Sequence, residues 1–210
     1  MFGALPSEYH TVYRRKLVTA ATNPAVTTAE AKTWCAISSS SHDTLIANLV
    51  KAATNKIETD FDCALITQTW DVKADRFPTK CWENEDAAIV PVIYPVASIT
   101  HIKYTNTAGT ADTELATTVY QLENDFGMPS RILLKYDQSW PDTQGGFNDV
   151  TARLVCGYGA DSTHVPEAIR TAILLMVKYW YDNPEDSYQK GNVWERSAKA
   201  LLQNHFQWRI

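Results

Sequence analysis

The sequence has little that would support catalysis. It lacks a G-x-S-x-G nucleophile motif, an H-E-x-x-H metal motif and a phosphate-binding glycine loop. Its four cysteines are widely scattered and form no C-x-x-C pair, which argues against a zinc ribbon or a dithiol redox motif. The five histidines also fall at unrelated places along the chain. We therefore predict no catalytic residue, no cofactor and no metal site.

Long apolar runs and a strong charge of one sign are missing as well. No window of about 18 apolar residues occurs, so we expect no membrane span, and no signal peptide is apparent. The formal net charge is −5, which argues against a surface that holds nucleic acid phosphates. This mild negative charge is compatible with a channel through which DNA slides. Apolar residues make up 45% of the chain, enough for a substantial core.

Apolar spacing and capping residues predict helices near both ends of the chain. Thr27 and Glu30 form a capping box, in which each side chain accepts a hydrogen bond from the other residue's backbone N–H. Pro166 suits the first position of a helix, and Asn183-Pro184 ends that helix. The predicted helices are Thr28–Cys35, Asp43–Phe61, a third from Pro166 to Asn183, and Val193–His205.

The middle of the chain changes to a period of two with frequent turn residues. The predicted strands are Thr67–Ala74, Ala88–Val92, Ile99–Tyr104, Thr118–Leu122, Arg131–Lys135 and Thr151–Cys156. The intervals between them are too short for crossover helices, so the sheet should be largely antiparallel. We predict an α+β fold: an α-helical bundle formed by N- and C-terminal helices with an inserted, mainly antiparallel β subdomain. Its parts are an N-terminal arm (1–25), a helical core (26–64 and 157–206), the β subdomain (65–156) and a C-terminal tail (207–210).

The two ends of the chain carry the side chains best suited to contacts with other proteins. Residues Tyr9–Leu17 are predicted to form a short helix with a basic patch, and an aromatic, apolar segment closes the chain. Aromatic and arginine side chains are common anchors of protein interfaces. The interface candidates are Arg14, Arg15, Trp180, Tyr181, Trp194, Phe206, Trp208, Arg209 and Ile210.

Three polar clusters resemble functional motifs, but each has a simpler interpretation. Ser41-His42-Asp43 contains the residue types of a catalytic triad, yet neighbours at a helix start point in different directions, so a capping segment is favoured. Gly157-Tyr158-Gly159 follows no βαβ pattern and is interpreted as a turn. The acidic run from Glu83 to Asp86 is interpreted as a solvated loop rather than an ion site.

Many short motifs follow one another in a specific order between about residues 17 and 205. They are Leu17-Val18-Thr19, Val26-Thr27-Thr28-Ala29-Glu30-Ala31-Lys32, Ala52-Ala53, Ile57-Glu58, Leu65-Ile66-Thr67-Gln68-Thr69-Trp70, Phe77-Pro78, Pro95-Val96-Ala97-Ser98-Ile99, Tyr120, Pro129-Ser130-Arg131-Ile132, Trp140-Pro141, Gly157-Tyr158-Gly159, Val165-Pro166, Tyr179, Tyr181 and Leu201-Leu202. Each motif is weak alone. The ordered series resembles the head–tail connector (adaptor, head-completion) proteins of siphophage-type phages, prophages and gene transfer agents.

This resemblance implies a structural, non-enzymatic role in the virion neck, with assembly in the host bacterial cytoplasm. Such connectors form a ring, usually of twelve copies, beneath the portal of a DNA-filled capsid. The implied partners are the portal protein, a downstream neck or tail protein (stopper), further copies of the chain, and genomic DNA that passes through the channel without sequence-specific binding. We expect the segment Trp194–Ile210 to contact the portal.

The sequence departs from the family pattern at two places. The first helix ends in Trp34-Cys35-Ala36-Ile37 where the family usually has a Leu-Arg pair, and the arm before Leu17 is longer than expected. Two alternatives also stay open. One is another neck component, a stopper or tail terminator, although those proteins tend to be mostly β. The other is a non-catalytic ligand-binding module that uses Trp70, Trp82 and Trp140 of the β subdomain.

Overall fold

The computed structural model describes residues 13–79, 87–124, 130–185 and 193–202, and for residues 193–196 and 199 it describes the backbone alone. These residues contain both α-helices and antiparallel strands, so the predicted α+β class is confirmed. Two compact units can be separated. The strand unit comprises the described residues of 1–18, 69–92 and 98–155, and the helix unit those of 19–68, 93–97 and 156–210.

The helix unit contains α1 (Thr28–Cys35), α2 (Asp43–Asp60), α3 (Glu167–Asp182) and α4 (Val193–Leu202). Helix α3 packs against each of the other three. Its apolar face and that of α2 form most of the core, because residues at helical spacing point to one side. The buried core residues of these two helices are Ile46, Val50, Ala53, Ile57, Ile169, Ala172, Ile173, Leu174, Met176 and Val177.

Polar contacts fix the position of α1 within the helix unit. The predicted capping box is present: the Thr27 backbone N–H donates to Glu30 at 2.8 Å, and the Glu30 N–H donates to the Thr27 hydroxyl at 3.2 Å. The same Glu30 carboxylate accepts from Arg170 on α3. At the other end of α1, Lys32 lies 2.5 Å from Asp43 at the start of α2. These ion pairs connect α1 to both neighbouring helices.

The strand unit is built around a five-stranded sheet with the order β1-β2-β7-β3-β4, together with a two-stranded β5-β6 ladder. Strand β3 is antiparallel to β4, and β5 is antiparallel to β6. The strands are β1 (Arg14–Thr19), β2 (Gln68–Ala74), β3 (Val96–Tyr104), β4 (Thr113–Glu114), β5 (Tyr120–Glu123), β6 (Arg131–Leu134) and β7 (Val150–Cys156).

Strand β7 shows how alternation separates the two faces of the sheet. Its residues alternate between buried and half-buried positions, as the period of two predicts. The half-buried Arg153 donates two hydrogen bonds, 2.8 and 2.9 Å long, to the carboxylate of Asp71 on the adjacent strand β2. These hydrogen bonds lower the pKa of Asp71. The pair therefore joins two central strands on the face away from the buried side chains of β7.

The predicted Gly157-Tyr158-Gly159 turn lies directly against the segment that leads into β2. The Tyr158 N–H donates to the Leu65 carbonyl at 3.2 Å, and the Thr67 N–H donates to the Gly159 carbonyl at 2.9 Å. Gly157 has φ +123°, and a Cβ atom at this position would come within 2.6 Å of the Ile66 backbone. Glycine is therefore required here by both conformation and space.

Glu58, near the end of α2, connects this helix to the same segment. Its Oε1 accepts from the Leu65 N–H at 2.9 Å and from the Gln68 side-chain amide at 2.8 Å. Burial raises the pKa of Glu58, although both hydrogen bonds act in the opposite direction. The carboxylate also lies near the negative end of the α2 dipole. Keeping the Glu58 carboxylate ionised at this position therefore costs electrostatic free energy.

Two predicted elements are wrong in type. The helix expected across Tyr9–Leu17 is replaced, in its described part, by strand β1, because pairing with β2 determines the structure of Arg14–Thr19. The strand expected at Ala88–Val92 is reduced to a single bridge between Ile89 and Ile132. Strand β4, only two residues long, was not predicted.

Replacing Gly157 with alanine should lower the free energy of unfolding by roughly 3 kcal/mol, because the new methyl group meets backbone atoms that cannot move away. Gly145→Ala is the matched control: Gly145 also has a positive φ, +85°, but has open space around it. The control should lose only about 1 kcal/mol. Urea denaturation measures both values. Equal losses would show that backbone conformation alone, and not close packing, requires Gly157.

Replacing Glu58 with glutamine should stabilise the protein at pH 7, since the amide oxygen can accept the same two hydrogen bonds without a buried charge. The folded-state pKa of Glu58 is raised, so the wild type loses stability as pH rises from the unfolded pKa, near 4.5, through the folded one. The advantage of the variant should therefore shrink as the pH falls through the raised folded pKa towards about 4.5, and should change little below that pH. Thermal unfolding across this pH range tests the prediction, and an advantage independent of pH would contradict it.

Candidate assembly surfaces

The two predicted interface residues of β1, Arg14 and Arg15, lie in the strand unit and contact its other elements. Arg14 Nη1 donates to Asp75 at 2.9 Å, and its guanidinium lies 4.4 Å from the centroid of the Phe147 ring. Arg15 Nη1 donates to the Val92 carbonyl at 3.0 Å. Both arginines therefore fasten β1 to the unit, instead of projecting from a detached arm.

The carboxylate of Asp75 organises the contacts around Arg14. It accepts a 2.9 Å hydrogen bond from the Asn148 backbone N–H as well as the Arg14 contact. The Asn148 backbone N–H, and after it the Arg14 side chain, hold the pKa of Asp75 below its usual range. Phe147 and Asn148 belong to one exposed loop. The Asp75 carboxylate and the Arg14 side chain therefore connect this loop to β1.

The two predicted interface residues at the end of α3, Trp180 and Tyr181, pack inside the helix unit. Both are half-buried against its apolar core. The Tyr181 hydroxyl and His42 Nδ1 are 2.6 Å apart, which connects α3 to the residue before α2. These side chains thus have roles within the chain, and a role in a subunit or portal interface stays a prediction.

The remaining candidates are at the C-terminal end. The backbone of Trp194 lies in the first turn of α4, which packs against α3. Phe206, Trp208, Arg209 and Ile210 lie outside the described residues. The same is true of the acidic run from Glu83 to Asp86 and of Trp82.

Several large apolar side chains that were not among the predicted interface candidates are exposed. Tyr136 is 99% exposed and Phe147 72% exposed in loops of the strand unit. Trp34 and Leu45 are about half exposed in the helix unit, and Leu17 and Val18 are 41% exposed on β1. Sequence patterns missed these residues because a single apolar residue looks the same in a core and on a surface.

The described residues contain no assembled catalytic centre. The three members of Ser41-His42-Asp43 contact different partners, namely Ser39, Tyr181 and Lys32. No group of three His, Cys, Asp or Glu side chains within the described ranges can hold a metal ion. Burial raises the pKa of the Cys156 thiol to about 12, which makes it a poor nucleophile. Nor does any helix among these residues have the length and apolarity to cross a membrane.

Two of the three tryptophans proposed to line a ligand pocket, Trp70 and Trp140, lie within the described residues and contact other side chains of the strand unit. The Trp140 ring stacks on Phe77 with centroids 5.0 Å apart, and its indole N–H donates to the Ala87 carbonyl at 2.7 Å. The Trp70 ring lies 5.8 Å from the Arg15 guanidinium. An open groove in the helix unit, lined by α1 and the start of α2, has both polar and apolar walls and contains the Lys32–Asp43 ion pair.

Arg14→Ala should loosen β1, because it removes both the ion pair with Asp75 and the contact with Phe147. The pair is half-exposed and screened by water, so we expect only a roughly threefold faster amide exchange in β1. Lys16→Ala is the matched control, since the Lys16 side chain is exposed on the same strand and forms no hydrogen bond or ion pair with another described residue. Hydrogen–deuterium exchange of residues 14–19 measures the effect. Identical exchange in the two variants would contradict an anchoring role for Arg14.

Comparison with known proteins gives a result at the level of the fold. No protein-family model and no curated protein matches the sequence. Among solved structures, a chain from the neck of an empty gene transfer agent (GTA) particle, computed with C6 symmetry, matches with a TM-score of 0.73 and 21% identity over 94% of this chain and 97% of that one.

Two further structures agree with the first. A chain from the virion of a native GTA particle matches with a TM-score of 0.70 and 22% identity, over 93% of this chain and 96% of that chain. A chain from the neck of a native GTA particle, computed with C12 symmetry, matches with a TM-score of 0.69 and 21% identity over 94% of this chain and 97% of that chain. The resemblance to head–tail connectors is therefore confirmed in its fold: over nearly its whole length, this chain has the fold of chains found in the neck of GTA particles.

Proposed function

We propose that this protein is a structural component of the virion neck in a tailed phage, prophage or gene transfer agent. The observation that carries the proposal is the shared fold across 94% of the chain and 97% of the chain from an empty GTA neck. Coverage of both chains matters, because a shared substructure would leave room for an added enzymatic or binding domain. The exposed apolar side chains and the lack of an assembled catalytic centre among the described residues fit the same role.

In more detail, the chain would act as the adaptor: a ring of twelve copies beneath the portal that extends the DNA channel and joins the capsid to a stopper or tail protein. Necks with matching chains were computed with C6 and C12 symmetry, which supports a ring of this order. The net charge of −5 supports a channel in which DNA moves without being held.

The predicted parts fit this role as follows. Residues 26–64 and 157–206 would form the helical connector core, with 65–156 as the inserted β subdomain. The arm 1–25 and the tail 207–210 would order against neighbouring proteins. Arg14, Arg15, Trp180, Tyr181, Trp194, Phe206, Trp208, Arg209 and Ile210 stay the candidates for the portal or subunit interface.

Native mass spectrometry of the full chain, alone and mixed with the portal protein from the same genome, tests the proposed function. We expect a twelve-membered ring or a complex with one copy per portal subunit. A ring requires that one face of each copy bind a different face of the next, so intermediate dimers should continue to grow instead of closing. A chain that stays monomeric and does not bind the portal would overturn the proposal.

Truncation after Leu202 should weaken portal binding at least tenfold, because the removed segment carries Phe206, Trp208 and Arg209, the residue types that dominate binding energy. Tyr136→Ala is the matched control: it removes a fully exposed aromatic side chain from the strand unit. The control should bind the portal unchanged. Unchanged binding by the truncated chain would contradict the assignment of this segment to the portal contact.

A further inference from the structure

Strand β1 forms one edge of the five-stranded sheet, and its outer side is not covered by another described strand. In an antiparallel or parallel ladder, alternate N–H and C=O groups of an edge strand point away from the sheet. Six residues, Arg14–Thr19, present this edge, and they contain no proline or glycine that would prevent pairing. The strand is therefore able to accept a further strand.

The side chains of β1 show that both of its faces are open. Leu17 and Val18 are neighbours in a strand and so point to opposite faces, yet each is 41% exposed. An exposed edge strand with apolar residues on both faces is a site of association in many proteins. A partner strand would remove water from both side chains and from the backbone groups that point away from β2 at the same time.

Charge distinguishes the two edges of the sheet. Strand β1 begins with Arg14, Arg15 and Lys16. The opposite edge, β4, carries Glu114 and is preceded by Asp112, and both carboxylates are exposed. Neither carboxylate forms an ion pair with another described residue. Lys16 thus gives one edge an exposed positive charge, whereas Asp112 and Glu114 give the other edge exposed negative charges, with Lys103 of β3 opposite Glu114.

This asymmetry selects between two ways of pairing. Arg14 is paired with Asp75, but two β1 strands side by side would still bring two copies of the exposed Lys16 into one contact, which is unfavourable. Pairing β1 of one copy with β4 of the next places opposite charges together and leaves a free β1 and a free β4 at the two ends. Such a head-to-tail contact can continue from copy to copy until a ring closes.

We propose that β1 of one copy pairs edge to edge with β4 of the next copy, so that the sheets of neighbouring subunits become continuous around the ring. The partner is thus a second copy of this chain. The inference rests on the proposed function, because it names the surface through which the proposed ring forms. Strand β4 is short, so the charges near Lys16 and Glu114 contribute much of the selectivity.

Hydrogen–deuterium exchange on the full wild-type chain tests this pairing directly. Rings formed by the chain alone or on the portal are compared with the monomer. Within residues 14–19 and 112–114, we expect the amides that point away from the sheet, and so do not pair with β2 or β3, to exchange at least tenfold more slowly in the ring. If rings form but these amides exchange as in the monomer, the pairing is overturned and the proposed function stands. Protection of these outward-facing β1 amides already in the monomer also overturns it, and a chain that never assembles overturns both.

A charge exchange provides an independent test. Lys16→Glu and Glu114→Lys should each weaken the association constant of one subunit contact by roughly two- to fivefold, as exposed ion pairs do. Both substitutions in the same chain should restore it, because the exchanged charges again meet across the contact. Lys51→Glu, an exposed charge reversal on α2, is the control and should leave assembly unchanged. If the double variant loses as much binding free energy as the two single variants together, the pairing is contradicted.

Discussion

The helix unit depends on one close approach of two backbone segments. Residues 157–159 lie against residues 65–67 with hydrogen bonds in both directions, and no side chain fits between Gly157 and Ile66. These segments lead from α2 into β2 and from β7 into α3. Within the helix unit, their contact therefore holds the segment that follows α2 against the segment that precedes α3. Glu58 strengthens the same junction from the end of α2, although its carboxylate is held in an unfavourable, largely buried environment.

Elements that depend on local chemistry could be predicted from the sequence. The capping box at Thr27 and Glu30 is present, and α1 and α2 begin at the predicted residues, because caps and apolar spacing act within a few residues. Strand β1 could not be predicted, since its conformation comes from pairing with β2, some fifty positions away in the chain. A full strand was predicted around Ile89, where the structure has only a single bridge. The reason is the same, because the pairing partner of Ile89, Ile132, is distant in sequence.

The candidate surfaces likewise depend on contacts between residues that are distant in the sequence. Arginine and aromatic residues were predicted as interface candidates, but the structure gives most of the described ones partners inside their own unit. Arg14 binds Asp75, and Tyr181 contacts His42. What remains exposed is less conspicuous in the sequence: the apolar pair Leu17 and Val18, and single aromatic residues in loops. Exposure is a property of the assembled fold, so residue type alone does not reveal it.

The fold is shared with chains of GTA necks, and the proposed role in a neck ring is the central claim of this account. Electron microscopy of the full chain bound to the portal protein from the same genome tests that claim most directly. The account predicts a ring coaxial with the portal, with one copy of this chain for each portal subunit and an open central channel. Portal particles without added density, beside monomers of this chain, would contradict it.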